Sequence, residues 1–312
     1  MTEPLKFKAP WMVAVWPGMG HIAINAGFYL AAKLGMRNFA SCAPWGLWEV
    51  EHVEVERGIV QPARLPRNRL FSWRDPLEQH DLVLSIGEAQ LPTGKQAYCK
   101  ALVRLAKEFG VERVFTFAAM ATQMHPEQDS RVFVAATDQA TLDEMMWLEN
   151  LHVMEEGRIS GMNGVFLGVV AEAGLHGACL LGEMPHVFAH LPFPGGSLAV
   201  LKAFTRLMGL NLDLNELMWQ AEDLGRHLKE MFPREEEAQP KPAEPAEEEG
   251  GELEHPEPPK LSPADEQRIE ELFRQAQQDR SKAYELKREL DRLDVFREYE
   301  DRFLDLFQKP ET

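Results

Sequence analysis

Between residues 234 and 260 the chain carries 10 acids, 3 bases and six prolines, and no aromatic side chain. Such a stretch buries too little apolar surface to offset its chain entropy, and its like charges and prolines favour an extended, solvated state. It predicts a disordered acidic linker. The 312 residues are thereby divided into a domain at 1–233, the linker at 234–260 and a spatially independent element at 261–312. The acid excess runs through all three parts and totals −17. A general nucleic-acid binder, which needs clustered Lys and Arg for phosphate contacts, is excluded by that balance.

The C-terminal element reads as a helix with a defined start. Ser262 is placed to be the N-cap, Pro263 the first helical residue, and Asp265 the third, close to a capping box. Ile269, Leu272, Ala276, Asp279, Ala283, Leu286, Leu290 and Leu293 then alternate spacings of three and four. That is an a/d seam over about three heptads. It slips by one step into an aromatic face at Phe296, Tyr299, Phe303 and Leu306. The spacing predicts a long amphipathic or coiled-coil helix whose stripe needs a mate. That mate is a second copy, a fold-back onto the domain, or another protein.

Through residues 1–233 apolar strands alternate with helices. Trp11 to Trp16, Asp81 to Ile86, Arg113 to Ala118, Arg131 to Ala136 and Ala178 to Leu181 read as strands. Helices are expected at Ile22 to Leu34, Lys95 to Phe109, Thr137 to Leu148, Val165 to Ala173 and Ser197 to Met208. A further helix follows a capping box of Asp213 with Glu216, while Val53 to Val60 and Arg69 to Trp73 read as extended pieces, a hairpin at an edge. Continuous apolar strands joined by helices imply an α/β fold, a three-layer αβα arrangement around a mainly parallel sheet.

Residues 9–32 and 184–201 are uncharged, but Pro17-Gly18 in the first and Pro185, Pro192 and Pro194 in the second interrupt any spanning helix. The N-terminus carries no basic region followed by an apolar block, so no secretory signal is read and the cytoplasm is expected. Cys42, Cys99 and Cys179 have no paired spacing and are expected to be reduced, buried and apolar in role.

In open α/β sheets ligands collect beyond the carboxyl ends of the strands. Gly18, Gly20, His21, Glu88, Asn163 and Glu183 are the candidate pocket residues there, with Thr122 to His125 and His186 nearby. A carboxylate or imidazole after several strands suits a shared polar crevice for a small anionic or metal-bound ligand, but the usual catalytic signatures are missing. Ala23 stands where a dinucleotide fingerprint needs its third glycine, and Ala89 where a Walker A loop needs its first. His186 and His190 lack the zincin glutamate, and Ser41, Ser85 and Ser160 sit in no nucleophile elbow. Neither a catalytic residue, a metal site nor a cofactor is assigned.

Trp16-Pro17-Gly18-Met19-Gly20, Leu65-Pro66-Arg67-Asn68, Gly87-Glu88-Ala89-Gln90 and Gly161-Met162-Asn163-Gly164 follow one another, then Leu180-Leu181-Gly182-Glu183-Met184-Pro185-His186 and Leu207-Met208-Gly209-Leu210-Asn211-Leu212-Asp213. Together they resemble the PAC2 family, named after a proteasome assembly chaperone, over about residues 10–231. The resemblance implies a three-layer fold similar to nucleoside phosphorylases, and protein partners or a homo-oligomer, a trimer among the options. Archaeal and eukaryotic relatives assist proteasome assembly. Two functions are therefore carried forward: a non-enzymatic, oligomeric interaction or assembly-chaperone-like protein without nucleic-acid or membrane partners, and an enzyme performing phosphorolysis or hydrolysis on a nucleoside-like substrate. The second rests on fold analogy alone.

Overall fold

Strand β1 (Trp11–Val15) is buried at all five positions because the chain covers both of its sides. Met12, Ala14 and Trp16 point to one layer, and Trp11, Val13 and Val15 to the other. This alternation is why an unbroken apolar run is needed here. The structure, a computed structural model, describes residues 6–42, 53, 55–61, 65–126, 128–231, 261–293 and 295–307. The linker expected at 234–260 lies outside the described residues.

After β1 come α1 (Ile22–Lys33), β2 (Arg37–Cys42), the short hairpin β3 (Val55–Glu56) and β4 (Ile59–Val60), β5 (Asn68–Trp73), β6 (Leu82–Gly87) and α2 (Lys95–Glu108). They are followed by β7 (Arg113–Thr122), β8 (Val132–Ala136), α3 (Gln139–Asp143), β9 (Leu151–Val153), α4 (Gly161–Glu172) and β10 (His176–Pro185). The helices α5 (Pro194–Met208), α6 (Asn215–Met231), α7 (Pro263–Gln278), α8 (Ala283–Arg292) and α9 (Phe296–Asp305) complete the described chain.

Eight strands form one sheet in the order β2-β5-β6-β1-β7-β10-β8-β9. The central four, β6, β1, β7 and β10, are parallel, with β7 and β10 paired from Arg113↔His176 to Thr122↔Pro185. On one flank β5 runs antiparallel to β6 and β2 antiparallel to β5; on the other β8 runs antiparallel to β10, with β9 parallel to β8. The expected α/β architecture is thus present, with a parallel centre inside a mixed sheet. β5 joins the main sheet, and among the described residues the separate hairpin is β3 with β4, Val55 pairing with Val60 and Glu56 with Ile59. β2 and β9 carry no sequence signal because one is a polar, half-exposed edge strand and the other has three residues. Cys42 is also exposed there, contrary to expectation, whereas Cys99 and Cys179 are buried and burial pushes both thiols up to about 12.

The α2–α4 layer packs Cys99, Leu102, Val103, Met162, Phe166 and Val170 on one face of the sheet. The opposite face carries α1 and α5, and here the sequence expectation changes. The C-terminal stripe does not make one detached rod. Asp279 (φ −136, ψ 103) leaves helical geometry after α7 and accepts the Ser281 N–H, so the seam breaks into α7, α8 and α9. Ser262 caps α7 as expected, its Oγ accepting the Asp265 N–H at 3.2 Å.

Of the three possible mates for the stripe, the structure shows the chain's own domain. Ile269, Leu272, Leu286, Leu290, Phe303 and Phe307 belong to the same core as Phe28, Phe71 and Phe115. Phe28 meets Phe296 and Phe303 edge-on at 5.5 and 5.6 Å, and Phe71 meets Phe307 at 5.8 Å. Asn38 of β2 donates its N–H to the Phe307 carbonyl at 2.8 Å. The reason is visible in α1, which is buried at every position from Ile22 to Ala32. A helix apolar all round requires cover on two sides; the sheet supplies one and α8 with α9 the other. The capping box expected before α6 is only half made, because Asp213 accepts the Asn215 N–H while Glu216 turns to Lys33 at 2.8 Å.

Candidate functional site

The carboxyl edge of the parallel strands is built around the loop that leaves β1. Gly20 takes φ +60, and a Cβ there would stand 2.7 Å from the Met184 sulfur of β10. His21 follows at φ +50, exposed, as the N-cap residue of α1. Gly18 is extended, and a Cβ on it would come no nearer than 4.0 Å to Asn163 Nδ2. The loop is tied on several sides. Asn163, at the start of α4, accepts the Trp16 N–H at 3.1 Å through Oδ1 and donates to the Trp16 carbonyl at 3.5 Å. Gln90 donates to the Pro17 carbonyl at 2.5 Å and accepts the Met162 N–H at 2.7 Å. Gly20 donates to the Ala189 carbonyl and accepts from the Phe193 N–H, each at 2.9 Å.

These contacts give the short motifs a physical purpose. A Cβ on Gly87 would lie 2.1 Å from the Trp16 ring, one on Gly161 3.1 Å from Gln90, and one on Gly182 2.5 Å from the Gly196 carbonyl. Small residues let strand, loop and helix approach, and Asn163 and Gln90 fasten them.

The two carboxylates face opposite ways. Glu88, just past β6, accepts the Arg67 N–H at 2.9 Å and Arg69 Nε at 3.1 Å. The Arg69 side chain is 3% exposed and continues to Asp301 of α9 at 2.5 Å. Glu183 of β10 is 1% exposed and takes a bidentate pair from Arg131, Nε at 2.7 Å and Nη2 at 2.5 Å, with Thr122 Oγ1 at 2.8 Å. Burial alone would raise the Glu183 pKa. The Arg131 and Thr122 hydrogen bonds outweigh it and hold the carboxyl below its ordinary value.

The structure therefore gathers Gly18, Gly20 and Asn163 around the β1 loop, with His21 at its exposed end, and sends Glu88 toward β5 and Glu183 toward β8. Each of Glu88, Asn163 and Glu183 has partners within the fold. Sequence reasoning missed the carboxylate partners Arg69 and Arg131, and missed Gln90, which ties the Pro17 carbonyl to the Met162 N–H. Only the Gly-Glu-Ala-Gln run around Gln90 offered a signal.

A groove of about 940 Å³ opens elsewhere, between α5, α6 and the loops flanking β8 and β9. Leu198, Leu210, Leu212, Leu214 and Met218 line it together with Lys202, and none of the candidate residues does. In the sequence, Leu148 of the groove follows Trp147, and Met218 precedes Trp219; these two tryptophans are 61% and 70% exposed. Among the described residues no group of three or more His, Cys, Asp or Glu side chains is placed to hold a metal ion. No described helix is long and apolar enough to cross a membrane.

Known proteins place this architecture. PbaB of Pyrococcus furiosus, an archaeal proteasome activator, superposes with a TM-score of 0.62 at 24% identity over 73% of this chain and 96% of its own. Rv2125 of Mycobacterium tuberculosis, a proteasome-assembly chaperone homologue, gives 0.62 at 20% identity over 72% and 97%. In sequence, the uncharacterized protein MJ1210 of Methanocaldococcus jannaschii is 27% identical over 230 residues, 72% of this chain and 86% of its own. A sequence model of the PAC2 family matches residues 12–232, most of the chain. This chain belongs to the PAC2 family.

Proposed function

We propose that this PAC2 family chain is an assembly-chaperone-like protein that works by binding protein partners, proteasome subunits in the first place, and that it does so as a homo-oligomer. One observation carries this reading. The polar side chains best suited to chemistry are engaged in holding the fold together, while the open concavity between α5 and α6 sets leucines such as Leu198, Leu212 and Leu214 beside charged residues such as Lys202, Arg206 and Glu222. A groove of that mixed composition, about 940 Å³ in volume and open between two helices, suits an amphipathic segment of another protein, whose apolar face meets the leucines and whose polar face meets the charged residues. The names borne by PbaB and Rv2125 point to the same class of partner.

The test mixes the full chain with purified proteasome α-subunits and assembled core particles, followed by native mass spectrometry. Complex formation that is abolished in Leu198→Arg, with the melting temperature kept, supports the reading. Absence of any complex, combined with stabilisation of the chain by nucleosides or phosphate, would replace it with the enzymatic one. Light scattering on the same samples reads the oligomer.

A further inference from the structure

The junction between α7–α9 and the rest of the chain is apolar but contains two buried cations. Lys287 of α8, 4% exposed in its side chain, donates to Asn25 of α1 at 3.1 Å and to Asp291 at 2.6 Å. Its ammonium stands 5.1 Å from the Phe28 ring and 4.5 Å from the Phe296 ring. Arg69 of β5 divides its guanidinium between Glu88 and the α9 residues Asp301 and Asp305, the last at 3.8 Å. Both clusters reach across the junction, one contact on the body and one on the C-terminal helices. Phe303 and Phe307 fill the space around them against Phe28 and Phe71.

Burying a charge carries a desolvation penalty that a well-packed apolar side chain of similar volume avoids. The best-attested use of buried polar groups between helices is to choose a partner and its register. A surface built only to be covered would need Phe28, Phe71 and the apolar face of α1. One built to recognise what covers it also needs Asn25 and Arg69. The family match ends at residue 232, before α7 begins, so the recognising face lies within the family fold and the covering helices outside it.

We propose that the α1–β5 face is a docking site for an amphipathic helical segment with carboxylates one turn apart beside aromatic side chains, and that α7–α9 is its tethered ligand, exchangeable with the same segment of a second copy of this chain. Asp301 and Asp305 provide the carboxylates, Phe303 and Phe307 the aromatics, and Lys287 the second anchor. Covalent attachment holds the resident segment at a high effective concentration, so the intact chain closes on itself. Exchange opens once the connection is cut. This inference is independent of whether proteasome subunits are the partner.

The experiment uses the full chain with a protease site introduced between residues 240 and 256. Tagged and untagged proteins are cleaved after folding and mixed, and native mass spectrometry follows the tagged C-terminal segment. The segment is expected to stay bound after cleavage and to appear on untagged bodies, with no transfer between uncleaved chains. In Asp301→Asn/Asp305→Asn, which leaves the body unchanged, the segment should bind at least tenfold more weakly; Arg69→Met should give the same change from the other side. Three results would overturn the proposal. They are retention without transfer over days, release accompanied by loss of the buried-tryptophan fluorescence of the body, and unaltered affinity in the double carboxylate variant.

Discussion

Replacing Asn163 by alanine separates a structural role at the carboxyl edge from a ligand-binding one. Asn163 is 5% exposed, and its Oδ1 is the acceptor for the Trp16 N–H at 3.1 Å. Trp16 itself is 1% exposed, so water cannot readily replace that acceptor. A buried donor left without a partner costs about 1–3 kcal/mol. The second bond, to the Trp16 carbonyl at 3.5 Å, is long and adds little. The small void left by the amide adds a further fraction of a kcal/mol. A total of roughly 2 kcal/mol is expected, which in a chain of this size lowers the melting temperature by about 4 °C. Thermal unfolding followed by circular dichroism and tryptophan fluorescence measures the shift. Should Asn163→Ala melt with the wild type and instead lose a stabilisation by nucleosides or phosphate, Asn163 binds a ligand and does not fasten the β1 loop.

Other substitutions probe the same scaffold. Gly87→Ala pushes a methyl to 2.1 Å from the Trp16 ring, and overpacking of this kind costs about 1–3 kcal/mol, read as a lowered urea midpoint with an altered near-ultraviolet spectrum. Glu183→Gln removes the ionised partner of Arg131. Because the folded-state pKa of Glu183 is depressed, its contribution is present above the ordinary glutamate value of about 4.3 and is lost as pH falls through the lower folded value. The stability gap between wild type and variant should therefore hold at neutral pH and close in acid, which urea midpoints from pH 7 to pH 3 will show. Phe303→Ala empties a fully buried site among Phe28, Phe296 and Phe307 and should destabilise the protein by about 3–5 kcal/mol. The segment from 261 onward has no tryptophan, so a shift in the tryptophan transition reports coupling to the domain.

Gly18, Gly20, His21 and Glu88 follow strands whose ends the sequence marks, at Pro17-Gly18 after β1 and at Gly87 closing β6, whereas Glu183 lies within β10 and Asn163 within the first turn of α4. Their roles were not legible. Glu88 and Glu183 look alike as Gly-Glu steps after apolar runs, yet one meets an arginine on the adjacent antiparallel strand β5 and the other an arginine leading into β8. Those partners are 19 and 52 positions away in the chain, and only the antiparallel flanks of the sheet bring them near. Gln90 and Asn163 likewise converge on Trp16 to Pro17 from two different helical approaches.

Local pattern alone determined the buried central strands, the helices α1, α2 and α5, the cap at Ser262, and the family motifs, because each is encoded within a few residues. Tertiary structure decided what the C-terminal stripe packs against. An apolar seam specifies that it must be buried and says nothing of its mate. The answer lay some 250 residues earlier, in an α1 whose run from Ile22 to Ala32 holds no charge and so needs a neighbour on each side. Two incomplete surfaces, each unstable in water alone, met when the chain folded back, and the hydrophobic effect, which is blind to sequence separation, joined them.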